Sequence, residues 1–81
     1  MRKNVSIIGL GNLGFRYLQG ITKCTFPLNI YAIEINEENI KKIKSYWKTL
    51  NNKVQHILYL SNDFKILPKF TNLVIISTTS D

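Results

Sequence analysis

At 81 residues the chain has room for one small domain and not for a two-domain enzyme. Eleven Lys and Arg against five Asp and Glu leave a net charge of +6, which favours anionic partners without choosing among nucleic acid, a membrane surface and a phosphorylated small molecule. Apolar residues make up 44% and charged residues 20%, and no apolar run approaches the ~18 residues of a membrane span, so the composition is that of a soluble folded domain.

Lys3 to Ile8 is a short apolar run with β-branched Val5, Ile7 and Ile8, stopped by Gly9; it predicts a buried parallel strand. From Leu13 to about Thr22 the pattern turns helical. Leu13, Tyr17 and Ile21 recur every four residues with Gly14 and Leu18 beside them, so this face is expected to pack on the sheet, with Phe15, Arg16 and Gln19 on the other side. Pro27 closes the connection, and Leu28 to Glu34 predicts a second strand ending at Glu34.

Asn36 is a good N-cap, with Glu37 and Glu38 in the first turn where the helix dipole favours anions. Ile40, Ile43, Trp47 and Leu50 then form an apolar stripe, so a second helix runs to about Leu50, with Lys41, Lys44 and Lys48 on its outer face. Val54 to Leu60 predicts a third strand. Ser61, Asn62 and Asp63 then cap a short helical turn that Pro68 stops, and Asn72 to Ser77 predicts a fourth strand.

Cys24 is the single cysteine, which excludes an intramolecular disulfide framework and a Cys-rich zinc site and makes a reducing, cytoplasmic setting the simplest reading. The basic opening Arg2-Lys3 is followed by an apolar stretch broken by Gly9 and Gly11, so it reads as mature protein and not as a signal peptide. No repeat or linker divides residues 1–81. The alternation of strands and helices implies an α/β architecture, a Rossmann-type doubly wound parallel sheet. Such a sheet normally adds further strands, so the chain is expected to be a partial dinucleotide-binding domain truncated after strand four, lacking a C-terminal substrate domain.

Gly9-Leu10-Gly11-Asn12-Leu13-Gly14 is G-x-G-x-x-G between a predicted strand and a predicted helix. Gly9 permits the tight turn, Gly11 lets a pyrophosphate approach the backbone, and Gly14 lets helix and sheet pack closely. The amides of Asn12 and Leu13, at the positive end of the helix dipole, are placed to face phosphate oxygens. Glu34 lies 20 residues after Gly14 at the end of the second strand, where an acid hydrogen-bonds the adenosine ribose. With Ile35 and Asn36 next in line and no positive charge there to meet a 2′-phosphate, NAD is favoured over NADP.

Ile8 to Ile21, together with Asn72 to Asp81, resembles the cofactor half of the glucose–fructose oxidoreductase / inositol dehydrogenase / MocA family. Tyr17 stands where a histidine is common in that family, and Thr79 where many members have a proline. The resemblance implies an oxidoreductase that transfers hydride between a nicotinamide cofactor and a sugar, nucleotide sugar or polyol, with Ser77, Thr78 and Thr79 contacting the cofactor at the end of strand four. The family's lysine in a Glu-Lys-Pro sequence is absent here, so no catalytic residue is assigned and the chain alone is expected to be inactive. An alternative is a regulatory nucleotide-binding module of the kind that gates potassium transport, which opens with the same Ile-Gly-Leu-Gly; the Gly-Asp pair such modules carry after strand three is missing.

His56 has no partner at metal-ligand spacing and reads as an ordinary half-buried histidine, Trp47 as core, and Cys24 as an unreactive thiol. The lysines of the second helix read as a solvated face with no interleaved aromatics, so neither nucleic acid nor membrane is expected as a partner. Self-association is expected through the fourth strand, which becomes an exposed sheet edge.

Overall fold

The structure, a computed structural model, describes residues 2–77. In chain order the elements are β1 (Lys3–Ile8), α1 (Asn12–Ile21), β2 (Leu28–Ile33), α2 (Glu37–Thr49), β3 (Ile57–Ser61), a 3-10 turn (Phe64–Ile66) and β4 (Leu73–Ile76). All pairings are parallel, and the strand order is β3-β2-β1-β4. This is the Rossmann-like α/β arrangement that the alternation of elements predicts.

The topology decides which face each connection covers. From β1 to β2 to β3 the chain steps in one direction, so two right-handed crossovers place α1 and α2 on the same face. From β3 it returns past β2 and β1 to β4, which sends residues 62–72 over the opposite face. Hydrogen bonds from Ser6 Oγ to Thr71 Oγ1 and from Asn4 Nδ2 to the Phe70 carbonyl tie this strap to β1. The direction of winding therefore reverses between β1 and β4, the place where open α/β sheets form their binding crevice.

The core fills the helical face. Val5 and Ile7 from β1 and Leu28, Ile30 and Ala32 from β2 pack with Phe15, Leu18 and Ile43 from the helices, and Leu58, Leu60 and Ile75 complete the rows from the outer strands. Ile7, Leu10, Leu18, Ile30 and Ile43 are fully buried, each stabilising the fold by about 1.5–3 kcal/mol relative to exposure. Trp47 is half-buried against this core, as is Cys24. Asn36 caps α2 as its residue type predicts, accepting from the Asn39 amide at 3.1 Å.

Three local readings differ from the structure. The buried face of α1 is Gly14, Phe15 and Leu18, with Leu13 and Tyr17 exposed. The periodicity of α1 allows either flank, and α2 selects one: Phe15 meets Tyr46 edge-to-face at 5.4 Å, Lys42 Nζ lies 4.5 Å from the Phe15 ring centre, and Thr22 Oγ1 is 2.7 Å from Tyr46 Oη. The third strand begins at Ile57 and not Val54, because Gln55 turns to φ 63° and its amide bonds back to the Asn52 carbonyl. His56 is buried at 4% exposure where half-burial is expected, for Leu28 N–H donates to its Nδ1 at 3.1 Å. Its Nε2 therefore carries the proton and donates to the Thr22 carbonyl, also at 3.1 Å, so the ring ties β2 to the end of α1.

Candidate functional site

The C-terminal ends of β1, β2 and β4 frame a cleft of 390 Å³. Ile8, Gly9, Leu10 and Gly11 form one wall, Ile33 to Asn36 with Asn39 a second, and Phe64 and Ser77 the remaining sides. It sits where the sheet reverses its winding, at the amide end of α1.

The glycine loop is built by two steric demands. Gly9 has φ 88°, a left-handed conformation that a side chain rarely adopts, and this turns the chain sharply out of β1. A Cβ on Gly14 would stand 2.1 Å from the Gly9 carbonyl oxygen and 3.4 Å from Ser77 Cβ, so the first turn of α1 reaches the strand ends only because residue 14 has none. Gly11 is the N-cap of α1, and its carbonyl accepts the first helical bond from Phe15 N–H at 2.9 Å. Asn12 and Leu13 form the exposed start of that helix and are not part of the cleft wall.

Glu34 lies one residue beyond β2, and its position is held from both sides. Its own amide donates to the Ser61 carbonyl at 3.0 Å, and the preceding Ile33 carbonyl accepts from Gly9 N–H at 2.9 Å. The residue is 7% exposed and has no counter-charge among the described residues; backbone amides satisfy its carboxylate. Oε1 accepts from Leu10 N–H, and Oε2 accepts from Ile35 N–H at 3.0 Å and Asn36 N–H at 2.9 Å. Bonds from an ionised acceptor to amides are among the stronger hydrogen bonds, so the carboxylate stitches the glycine loop to the start of α2. Ile35 is exposed at the cleft rim.

Ser77, at the end of β4, is buried, and its Oγ has no hydrogen-bond partner among the described residues. A buried hydroxyl without a partner costs about 1–3 kcal/mol, so an outside group that bonded it would recover that energy. Thr78 and Thr79 lie outside the described residues. Of the residues the sequence singles out, Gly9, Gly11, Glu34, Ile35 and Ser77 line one cleft, and Gly14 supports it from behind.

Two lining residues carry no sequence signal of their own. Asn39 enters because the cap at Asn36 begins α2 at the cleft, so the first helical turn faces it; the Asn-x-x-Asn spacing is the clue a reader could have used. Phe64 arrives on the irregular strap, where no periodicity indicates direction. Among the described residues no cluster of His, Cys, Asp and Glu could hold a metal ion, and no helix is long and apolar enough to cross a membrane. Among the described residues Glu34 is the only ionisable one in the cleft wall, which there offers acceptors and amides for binding but no acid–base pair. No protein-family model, curated protein or solved structure matches the chain.

Proposed function

We propose that the chain is the dinucleotide-binding portion of an NAD-dependent oxidoreductase that moves hydride between the nicotinamide and a hydroxyl of a sugar, nucleotide sugar or polyol. The observation that carries the reading is the buried Glu34 carboxylate bonded to the Leu10 amide, which puts the acid and the glycine loop on one cleft at the reversal point of the sheet. The residues present fit such a cofactor. Gly9 and Gly14 make the close-packed loop, and Ser77 Oγ, without a partner among the described residues, supplies a hydroxyl at the β4 side. In this reading Gly11 and the amide end of α1 hold the pyrophosphate, and Glu34 with Ile35 holds the adenosine end. The nicotinamide, when bound, supplies the hydride acceptor or donor; this chain's part is to bind and orient it. The sugar-like substrate rests on the family resemblance alone.

A nucleotide-sensing module without turnover is the second reading, favoured by a cleft wall in which, among the described residues, Glu34 is the one ionisable group. Both readings expect the 81-residue chain to reduce no nicotinamide with any sugar or polyol, since among the described residues the cleft wall offers no acid–base pair to move the hydroxyl proton.

Titration with NAD(H) and NADP(H) tests the binding assignment. The unmodified chain is expected to prefer NAD, because a 2′-phosphate would approach the Glu34 carboxylate without a cation to offset it. Glu34→Ala is expected to erode that preference by about tenfold, equivalent to about 1.4 kcal/mol. Tighter binding of NADP than NAD, or a preference that survives the substitution in a folded variant, overturns the role given to Glu34.

A further inference from the structure

We infer that Asn39 shares the adenosine ribose with Glu34, an inference that rests on the dinucleotide reading above. It follows from counting acceptor positions. A carboxylate has two oxygens with about four lone-pair sites. Oε2 of Glu34 accepts from both Ile35 N–H and Asn36 N–H, and Oε1 accepts from Leu10 N–H. One site of about four remains, on Oε1. A ribose presents two neighbouring hydroxyls, and Glu34 can accept only one of them without giving up a bond that holds the glycine loop or the start of α2.

The second hydroxyl needs another group in the same cleft. Among the described residues, three polar side chains besides Glu34 line it: Asn36, Asn39 and Ser77. The acceptor of Asn36 is engaged, its Oδ1 capping α2 through Asn39 N–H, which leaves that side chain donors only. Ser77 ends β4, two strands away from β2, and strand spacing of about 4.8 Å puts it roughly 10 Å from Glu34 across the sheet. Asn39 is half-buried in the first turn of α2, and its side-chain amide makes no hydrogen bond among the described residues. It offers one acceptor oxygen and two N–H donors, so it can meet a hydroxyl in either sense. Ribose recognition is thereby divided between one charged group, fixed by backbone amides, and one neutral group that no described residue occupies.

The test uses the full 81-residue chain, its Asn39→Ala variant, and four probes: NAD, ADP, 2′-deoxy-ADP and 3′-deoxy-ADP, with circular dichroism to confirm folding. For the unmodified chain, loss of either hydroxyl is expected to weaken ADP binding about fivefold, the worth of one hydrogen bond. Asn39→Ala is expected to weaken NAD and ADP about fivefold and to bind one of the two deoxy analogues as tightly as the unmodified chain does, because that analogue lacks the hydroxyl Asn39 holds. A variant that binds NAD and ADP undiminished overturns the inference and leaves the dinucleotide reading standing. So does a folded variant weakened equally towards both analogues, which would mean that Asn39 acts on the cleft as a whole. A chain that binds neither NAD nor ADP overturns both.

Discussion

A single missing Cβ sets the geometry of the cleft. At Gly14 an added methyl would fall 2.1 Å from the Gly9 carbonyl oxygen, well inside contact distance. The obstacle is backbone, and that backbone has little freedom, since Gly9 is held at φ 88° and its amide is bonded to Ile33. Gly14→Ala is therefore expected to destabilise the fold by about 3 kcal/mol or more, at the upper end of overpacking effects, which in a domain of this size lowers Tm by roughly 12 °C or more. Gly20, in the same helix, has open space where its Cβ would stand, so Gly20→Ala is the matched control and is expected to leave Tm unchanged or slightly raised. A Gly14→Ala protein melting with the control would show that the loop can move aside. The roles of Gly9 and Gly14 were legible in the sequence because each rests on local backbone sterics. The inward bonding of Glu34 was not: spacing places a carboxylate at a strand end but says nothing of how many amides the turn after it will present.

At the scale of elements, the sequence pattern indicates that a segment is helical more reliably than which flank it buries. In α1 the candidate faces differ by a small rotation, and the choice falls to Tyr46 and Lys42 on a helix more than 25 residues away. The start of β3 was hidden for a similar reason. Asn52 brackets His56, donating to its carbonyl at 2.8 Å and accepting from its amide at 2.8 Å, so a turn occupies residues that a propensity reading assigns to strand. His56 itself turns from a bland residue into a connector. It satisfies Leu28 N–H at the first residue of β2 and reaches the Thr22 carbonyl at the end of α1. His56→Ala would orphan both buried groups, with an expected loss of about 2–6 kcal/mol at 1–3 kcal/mol for each unmet partner. Chemical denaturation checks this. A loss below about 1 kcal/mol, with the midpoint shifted and the slope unchanged, would mean that water replaces the ring without penalty.

As a whole, the molecule is a slab of 32 × 29 × 17 Å, a sheet with helices on one face and only the strap of residues 62–72 on the other. Its accessible surface of 5497 Å² exceeds the ~5,000 Å² expected for a monomer of this mass, as a flat two-layer body should. The excess gathers partly at β4, where Leu73, Val74 and Ile76 are 49%, 46% and 66% exposed and, among the described residues, no strand pairs the outer side. Ser77 N–H donates inward to the Ile8 carbonyl, so by alternation along the strand the N–H and C=O groups of Val74 and Ile76 face outward. Antiparallel pairing of two copies about Ile75 would set Val74 opposite Ile76 of the other copy and close four edge hydrogen bonds. Six half-exposed apolar side chains contribute about 5–9 kcal/mol, and four bonds about 2–6, against association costs of about 4–15. The expected dimer is therefore weak. Charge opposes it: two bodies of net charge +6 about 25 Å apart repel by ~6 kcal/mol in water without salt, but by only a few tenths at a Debye length of about 8 Å. Sedimentation velocity is thus expected to show association that grows with protein concentration and strengthens as salt rises from about 0.01 to 0.15 M. Val74→Pro removes an outward N–H that β1 does not use, so it should abolish association with the monomer fold intact. A charged edge, Ile76→Lys, should do the same. A chain that stays monomeric at millimolar concentration in moderate salt, or one whose association survives both substitutions, would rule out β4 as the contact.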